Sequence, residues 1–258
     1  MSEALMRIGI LECGPTLPDI AARHGSYSDI FAKLLAGPDR MFPSWSVYQC
    51  DLPDNPDAAD AWVLTGSRYG AYEDHAFIEP LEEFIRAART AGRPMVGICF
   101  GHQIMAQALG GHVEKFTGGW GFGLQDYAVE GLGKVSLSAI HQDQVMRAPD
   151  GAHVIASNPF CAIAGLQYGD WGLSLQPHPE FDQGLMADYL DARERANDGD
   201  PKLIAQARDG LTRPHDSARV ADWLGTFLEA APGHPMHPAN HRDHDAASAP
   251  RQGHTQNG

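Results

Sequence analysis

Gly97-Ile98-Cys99-Phe100-Gly101-His102-Gln103, entered directly from the apolar run Pro94-Met95-Val96, is the stretch on which the fold turns. A cysteine with a glycine two residues before it and another two after, set between a strand-like run and a helical pattern, is the sequence form of a sharp strand-to-helix elbow. Side chains at either glycine would crowd the turn that holds Cys99 in a strained conformation and presents its sulfur to a cleft. The helix is predicted over Gly101 to Leu109, stopped by Gly110-Gly111. Cys99 would then sit at a helix N-terminus, where free N–H groups and the macrodipole favour negative charge on sulfur. Cysteine is otherwise a packing residue, and Cys13, Cys50 and Cys161, which have no such bracket, read that way.

A nucleophile needs a base. Gln176-Pro177-His178-Pro179-Glu180 follows the apolar run Trp171 to Leu175, so His178 falls just past a predicted strand end, where the active-site residues of open α/β sheets gather. Prolines fix the backbone on both sides of the imidazole. In an extended segment Glu180 lies on the same side as His178, placing a carboxylate on the ring nitrogen that faces away from sulfur. Nucleophile, base and orienter are thereby supplied. Ala61 to Thr65 reads as a buried strand running into Gly66-Ser67. The N–H of Gly66, with that of Phe100, would make a two-donor oxyanion hole.

Strand-like runs at Met6 to Leu11, Trp45 to Cys50, Ala61 to Thr65 and Pro94 to Ile98 alternate with helical patterns at Ser28 to Leu35 and His75 to Ala91. This alternation implies a mostly parallel sheet with helices on both faces. Shorter strands with turns are expected at Leu124 to Glu130, Val135 to Ile140, His153 to Ser157 and Ala162 to Tyr168. Helices return at Gln183 to Arg195, Lys202 to Ala207 and Ser217 to Ala230. No linker divides residues 1–230, which read as one unit. Residues 231–258 lose apolar periodicity, are rich in His, Pro and Ala, and are expected to be disordered. The spacing of His234, His237, His241, His244 and His254 fits no fixed metal site.

Composition bounds the function. The chain has 258 residues, 43% of them hydrophobic, enough for a substantial core. A net charge of −14 without clustered Lys or Arg argues against nucleic acid. No apolar run reaches the roughly eighteen residues of a membrane span, and the first residues lack a signal peptide's basic start. Four unpatterned cysteines suit a reducing cytoplasm.

The two motifs, together with Leu64-Thr65-Gly66-Ser67, Gly118-Gly119-Trp120-Gly121 and His141-Gln142-Asp143-Gln144-Val145, resemble those of the class I (triad) glutamine amidotransferases. The likeness is closest to the stand-alone members that include γ-glutamyl peptidases, and it spans about residues 6 to 182. It implies a flavodoxin-like three-layer α/β fold and a Cys99, His178, Glu180 triad, with Gly66 and Phe100 at the oxyanion positions. By the same resemblance, Gln103 holds the glutamyl group and the loop His141-Gln142-Asp143 binds its α-amino and α-carboxylate groups. Many members have His-Gly where this chain has His141-Gln142, which makes a γ-glutamyl amide in general a firmer expectation than free glutamine.

The implied reaction is hydrolysis or transfer at a γ-glutamyl amide bond through a γ-glutamyl thioester, with no metal or organic cofactor. The sequence has no Gly-x-x-x-x-Gly-Lys-[Ser/Thr] loop, so either a separate synthase subunit docks on the strand-end face or the protein is an independent hydrolase. The loop Arg68 to Asp74 is the place for a substrate lid or partner surface; as a plain surface loop it would have Asp74 capping the next helix. The competing class, a flavodoxin-like oxidant sensor or chaperone with a reactive elbow cysteine, has no need of His178 and Glu180.

Overall fold

The computed structural model describes residues 5–230, so the tail expected to be disordered lies outside the described residues. In chain order the strands are β1 (Met6–Leu11), β2 (Arg40–Met41), β3 (Ser44–Trp45), β4 (Ala61–Leu64), β5 (Met95–Ile98), β6 (His112–Lys115), β7 (Gly121–Val129), β8 (Gly133–His141), β9 (Asp143–Arg147), β10 (His153–Ser157), β11 (Gly165–Tyr168) and β12 (Gly172–Leu175). The helices are α1 (Pro18–His24), α2 (Tyr27–Leu34), α3 (Ile78–Thr90), α4 (Phe100–Ala108), α5 (Gln183–Arg195), α6 (Pro201–Gly210) and α7 (Ser217–Glu229).

The main sheet runs β2-β1-β4-β5-β12-β11-β10-β7-β8, with β3 also pairing β1, while β6 and β9 form a separate ribbon. Strands β2, β3, β1, β4, β5 and β12 are mutually parallel, and the rest of the sheet continues antiparallel. The central strands are buried on both faces, as parallel strands covered by helices must be, which is why β4 and β5 are apolar or glycine throughout. Alternate residues serve opposite layers. Trp62, Leu64 and Met95 pack with Leu81, Phe84 and Ile85 of α3 and Ile104 of α4. Ala61, Val63, Val96 and Ile98 pack with Phe31 of α2 and Leu224 and Phe227 of α7. The result is the three-layer, flavodoxin-like arrangement. Gly9 is small because Trp62 lies across it; a Cβ there would stand 2.3 Å from the indole.

Three expectations are corrected. Trp45 to Cys50 is not a strand: after Ser44–Trp45 the chain makes a single 3-10 turn over Val47–Gln49 and Cys50 adopts φ 62°. Val47 is fully buried in the core there, with Trp45 and Tyr48 packed against it, and the amides of Gln49 and Cys50 turn back to Ser46 and Val47 instead of reaching a neighbouring strand. The helix expected from His75 starts at Ile78, and Phe77 caps it without a side-chain bond, so Asp74 caps nothing. The antiparallel strands β7 and β8 are the longest of the sheet, not short ones, because they pair residue for residue from Gly121–His141 to Val129–Gly133.

Candidate active site

Strands β4, β5 and β12 lie side by side and point the same way, in register at Leu64–Gly97 and Ile98–Leu175. Their C-terminal ends therefore deliver Thr65-Gly66, Cys99 and Gln176-Pro177-His178 to one edge. Cys99 is the elbow: its amide donates to Leu175 O at 2.8 Å, its carbonyl accepts from Gln103 N at 3.1 Å as α4 begins, and its backbone sits at φ 55°, ψ −103°. Such a conformation costs a non-glycine residue about 1–3 kcal/mol and persists only where its surroundings enforce it. The flanking glycines do so. A Cβ on Gly97 would stand 2.5 Å from Gly101 O, and one on Gly101 would stand 2.5 Å from Leu64 O. Gly101 N–H donates to Thr65 O at 3.2 Å, tying the start of α4 to the end of β4.

His178 is fixed at both ends. Its backbone N–H donates to Ser138 O at 2.8 Å, and its Nδ1–H donates to Glu180 Oε1 at 2.7 Å, with both side chains buried. Burial alone would push the imidazole pKa down. The carboxylate of Glu180 and the neighbouring Cys99 sulfur overcome it, and the pKa stands well above the ordinary histidine value. Nε2 of His178 and Oε2 of Glu180 are buried and have no hydrogen-bond partner among the described residues. Gly66 completes the group. A methyl placed on it would lie 3.2 Å from His178 Cε1 and 3.7 Å from Cys99 Cβ, so the three residues share one small space. The amides of Gly66 and Phe100 donate to no backbone acceptor among the described residues, whereas those of Thr65 and Gly101, their neighbours, do. The Phe100 ring itself is core, packed against Phe77.

Cys99 and His178 open into a cleft of about 340 Å³, which Gln103, His141, Gln142 and Asp143 also line. Gln103 Nε2 donates to Asp143 O at 2.9 Å and to Gln176 Oε1 at 3.1 Å, leaving its carbonyl end free of both bonds. His141 donates Nδ1–H to Asp143 O at 3.2 Å; burial, with His178 nearby, lowers its pKa to about 4, so the ring is neutral at pH 7. Gln142 Nε2 is engaged with Phe116 O at 3.2 Å. The Asp143 carboxylate accepts from Tyr72 Oη at 3.1 Å, which straps the Arg68 to Asp74 loop across the cleft. Burial raises the Asp143 pKa.

His102, next in the elbow, does not reach the cleft. Its Nε2–H donates to Ile163 O at 3.1 Å and its Nδ1 meets Ser174 Oγ at 2.7 Å, and burial lowers its pKa to about 3. Sequence reasoning assigned no role to Gln176, which orients Gln103, and placed Tyr72 only within the loop expected as a lid. It also passed over an aromatic wall of Tyr27, Phe181 and Tyr189 beside His178. Gln176 stood in the quoted motif and could have been found there; the aromatics carry no local signal.

The sequence profile of the family described as Glutamine amidotransferase class-I matches residues 50–193. This chain belongs to the class-I glutamine amidotransferase family. It is 22% identical to γ-glutamyl peptidase 2 of Arabidopsis thaliana over 91% of this chain and all of that protein. It is 30% identical to the glutamine-hydrolyzing GMP synthase of Bordetella parapertussis over 72% of this chain, which spans only 36% of that enzyme. A glutamine amidotransferase structure from Methylobacillus flagellatus superposes with TM-score 0.68 at 19% identity, covering 87% of this chain and 93% of that one. That likeness speaks to the fold. No helix among the described residues is long and apolar enough to cross a membrane.

Proposed function

We propose that the protein cleaves a γ-glutamyl amide bond with a Cys99, His178, Glu180 triad and a γ-glutamyl thioester intermediate. The observation that carries this reading is the space in front of Gly66, bordered at once by the Cys99 side chain and by an imidazole whose Nδ1 is held by Glu180 at 2.7 Å. Cys99 Sγ attacks the side-chain carbonyl placed there, and the carbonyl oxygen takes up negative charge. The unengaged amides of Gly66 and Phe100 supply donors for that oxygen, a contribution on the order of several kcal/mol per donor in comparable sites.

His178, whose proton is favoured by Glu180 and by the sulfur, passes it to the departing nitrogen. Ammonia or an amine leaves, and the acyl group stays on sulfur. Water then gives a proton back to His178 and attacks the thioester, releasing glutamate and leaving the Cys99 sulfur beside the protonated imidazole, as at the start. Gln103, with its amide NH2 group anchored, turns its carbonyl oxygen to the glutamyl group, and the loop from His141 to Asp143 takes the α-amino and α-carboxylate end. No cofactor enters these steps. Four thiols, all unpaired, suit a cytoplasmic setting.

A second reading passes ammonia to a separate synthase subunit. It is favoured by the likeness to GMP synthase and by exposed aromatic side chains, Tyr72 and Trp120, at the cleft mouth. The redox-sensor reading leaves the buried His178–Glu180 pair without a use. The test is glutamate release from glutamine and from γ-glutamyl dipeptides, with and without a cell extract. Cys99→Ala and His178→Ala should each abolish release while Cys161→Ala stays near wild type; equal activity in all three refutes the mechanism. Glutamine turnover that appears only with extract selects the synthase-coupled reading.

A further inference from the structure

The cleft has two unlike sides. Around Gln103 it is polar, with Ser67, Glu73, Lys115 and Asp143 among its lining. Beside His178 it is largely apolar: Leu17, Tyr27, Phe181 and Tyr189 line it, and Arg193, which also lines it, bonds to Tyr189. This wall is continuous with the imidazole. Phe181 packs edge-on to His178 with centroids 5.1 Å apart, and Tyr189 and Tyr27 pack on Phe181 at 5.5 and 6.5 Å. Burial raises the pKa of both phenols, so each presents a neutral O–H. Arg193 is held in place, with Nη1 donating to Tyr189 Oη at 2.9 Å, Nε donating to Asp198 O at 3.1 Å and the guanidinium 5.7 Å from the Tyr189 ring centroid. Its ionic partner Asp198 is 61% exposed, so that pair is weak and a ligand carboxylate can compete for the remaining N–H groups.

If His178 hands its proton to the leaving nitrogen, the leaving group must lie on the imidazole side of the sulfur. Ammonia has no use for an apolar wall. An amine with an apolar body gains roughly 25 cal/mol for each Å² it covers, and a carboxylate on the carbon next to the nitrogen, diverging from that body, is left for Arg193 in the same lining. Resting on the amidase reading above, we propose that Tyr27, Phe181, Tyr189 and Arg193 form a leaving-group subsite for an α-amino acid with an apolar or aromatic side chain. The substrate class is then γ-glutamyl dipeptides with such a second residue, cleaved to glutamate and the free amino acid.

The test needs no disruptive variant. Values of kcat/KM are compared for glutamine, γ-glutamylglycine, γ-glutamylphenylalanine and γ-glutamylphenylalanine amide with the wild-type protein, then for the last two with Arg193→Gln. The phenylalanine dipeptide should exceed the glycine one by about tenfold or more, in the range a well-filled apolar pocket gives. Its free acid should exceed its amide by about tenfold, and that ratio should fall toward one in Arg193→Gln. Equal values across the series, or an acid-to-amide ratio unmoved by Arg193→Gln, overturns the subsite and leaves the amidase reading standing. If wild type turns over none of them, calorimetric binding of the same compounds to Cys99→Ala decides. The same order of affinities keeps the subsite while the catalytic reading falls, and no binding ends both.

Discussion

Replacing Gly66 by alanine separates what the site needs from what the fold needs. Gly66 lies outside the left-handed region of backbone space, so alanine can adopt its conformation. The added methyl would stand 3.2 Å from His178 Cε1, inside the roughly 3.5–4.0 Å of an ordinary carbon contact. The imidazole must give by a few tenths of an ångström, against a ring nitrogen bonded at 2.7 Å and a backbone amide bonded at 2.8 Å.

For stability, the crowding costs on the order of 1 kcal/mol, offset by about 0.4–1 kcal/mol from the stiffer unfolded chain. The melting temperature should therefore stay within about 4 °C of wild type. Activity should suffer far more. A displacement of this size costs several-fold if about 1 Å costs a hundredfold, and a methyl intruding where the oxyanion would form weakens donors typically worth about 10²–10³ in rate. A fall of about 10² in kcat/KM is expected for glutamate release.

Gly97→Ala and Gly101→Ala are the contrast. Each places a methyl 2.5 Å from a backbone carbonyl oxygen, of Gly101 and Leu64 respectively, and the backbone cannot yield without lifting α4 off the sheet. These should lose about 3 kcal/mol, or roughly 6–12 °C. Thermal unfolding and initial-rate assays on the three variants decide the matter. Gly66→Ala with wild-type kcat/KM would mean the reacting carbonyl does not sit in front of Gly66, and the proposed chemistry would lose its place.

Other consequences follow from the charges. Because the folded pKa of His178 stands above the ordinary value, the His178–Glu180 pair contributes its full stability below about pH 6.5 and loses it as pH rises through the elevated folded value. Glu180→Gln should flatten that alkaline decline in a melting series from pH 6 to 10; an unchanged slope would detach the pair from stability. His102 and His141 have the opposite sign. Their folded pKa values, about 3 and about 4, lie below the unfolded value, so their contribution is full above about pH 6.5 and is lost as pH falls through the folded values. Acid unfolding should steepen below pH 6, and His102→Gln, which keeps a donor, should soften it; identical acid limbs would contradict this. Tyr72→Phe removes the strap to Asp143 and should raise KM for a γ-glutamyl substrate about threefold to tenfold, in line with roughly one net hydrogen bond, with little change in kcat. An unchanged KM would leave that strap without a role in binding.

What could be read from the chain, and what could not, divides along the same physical line. The central strands β4 and β5 were legible because burial on both faces demands an unbroken apolar or glycine run. The elbow was legible because its strain is local: Cys99 at φ 55° requires glycines two residues away on either side, a demand written in seven consecutive residues. His178 and Glu180 were legible because two residues of extended chain suffice to bring carboxylate to ring. Helix α1 was invisible because it buries only Ile20 and so has no periodic stripe, and β6 likewise buries only Val113. The aromatic wall was hidden for a subtler reason. Leu185, Met186, Tyr189 and Leu190 form a buried stripe at helical spacing, and Phe181 joins the same cluster, so all of them read as core. Periodicity reports that a side chain faces inward, but not whether its inward neighbour is protein or an empty cleft. Residues that bend the backbone for chemistry must break local rules and are conspicuous. Residues that select a substrate through apolar contact obey those rules, and only the packing of distant segments shows that Tyr27 and Tyr189 border a space no side chain fills.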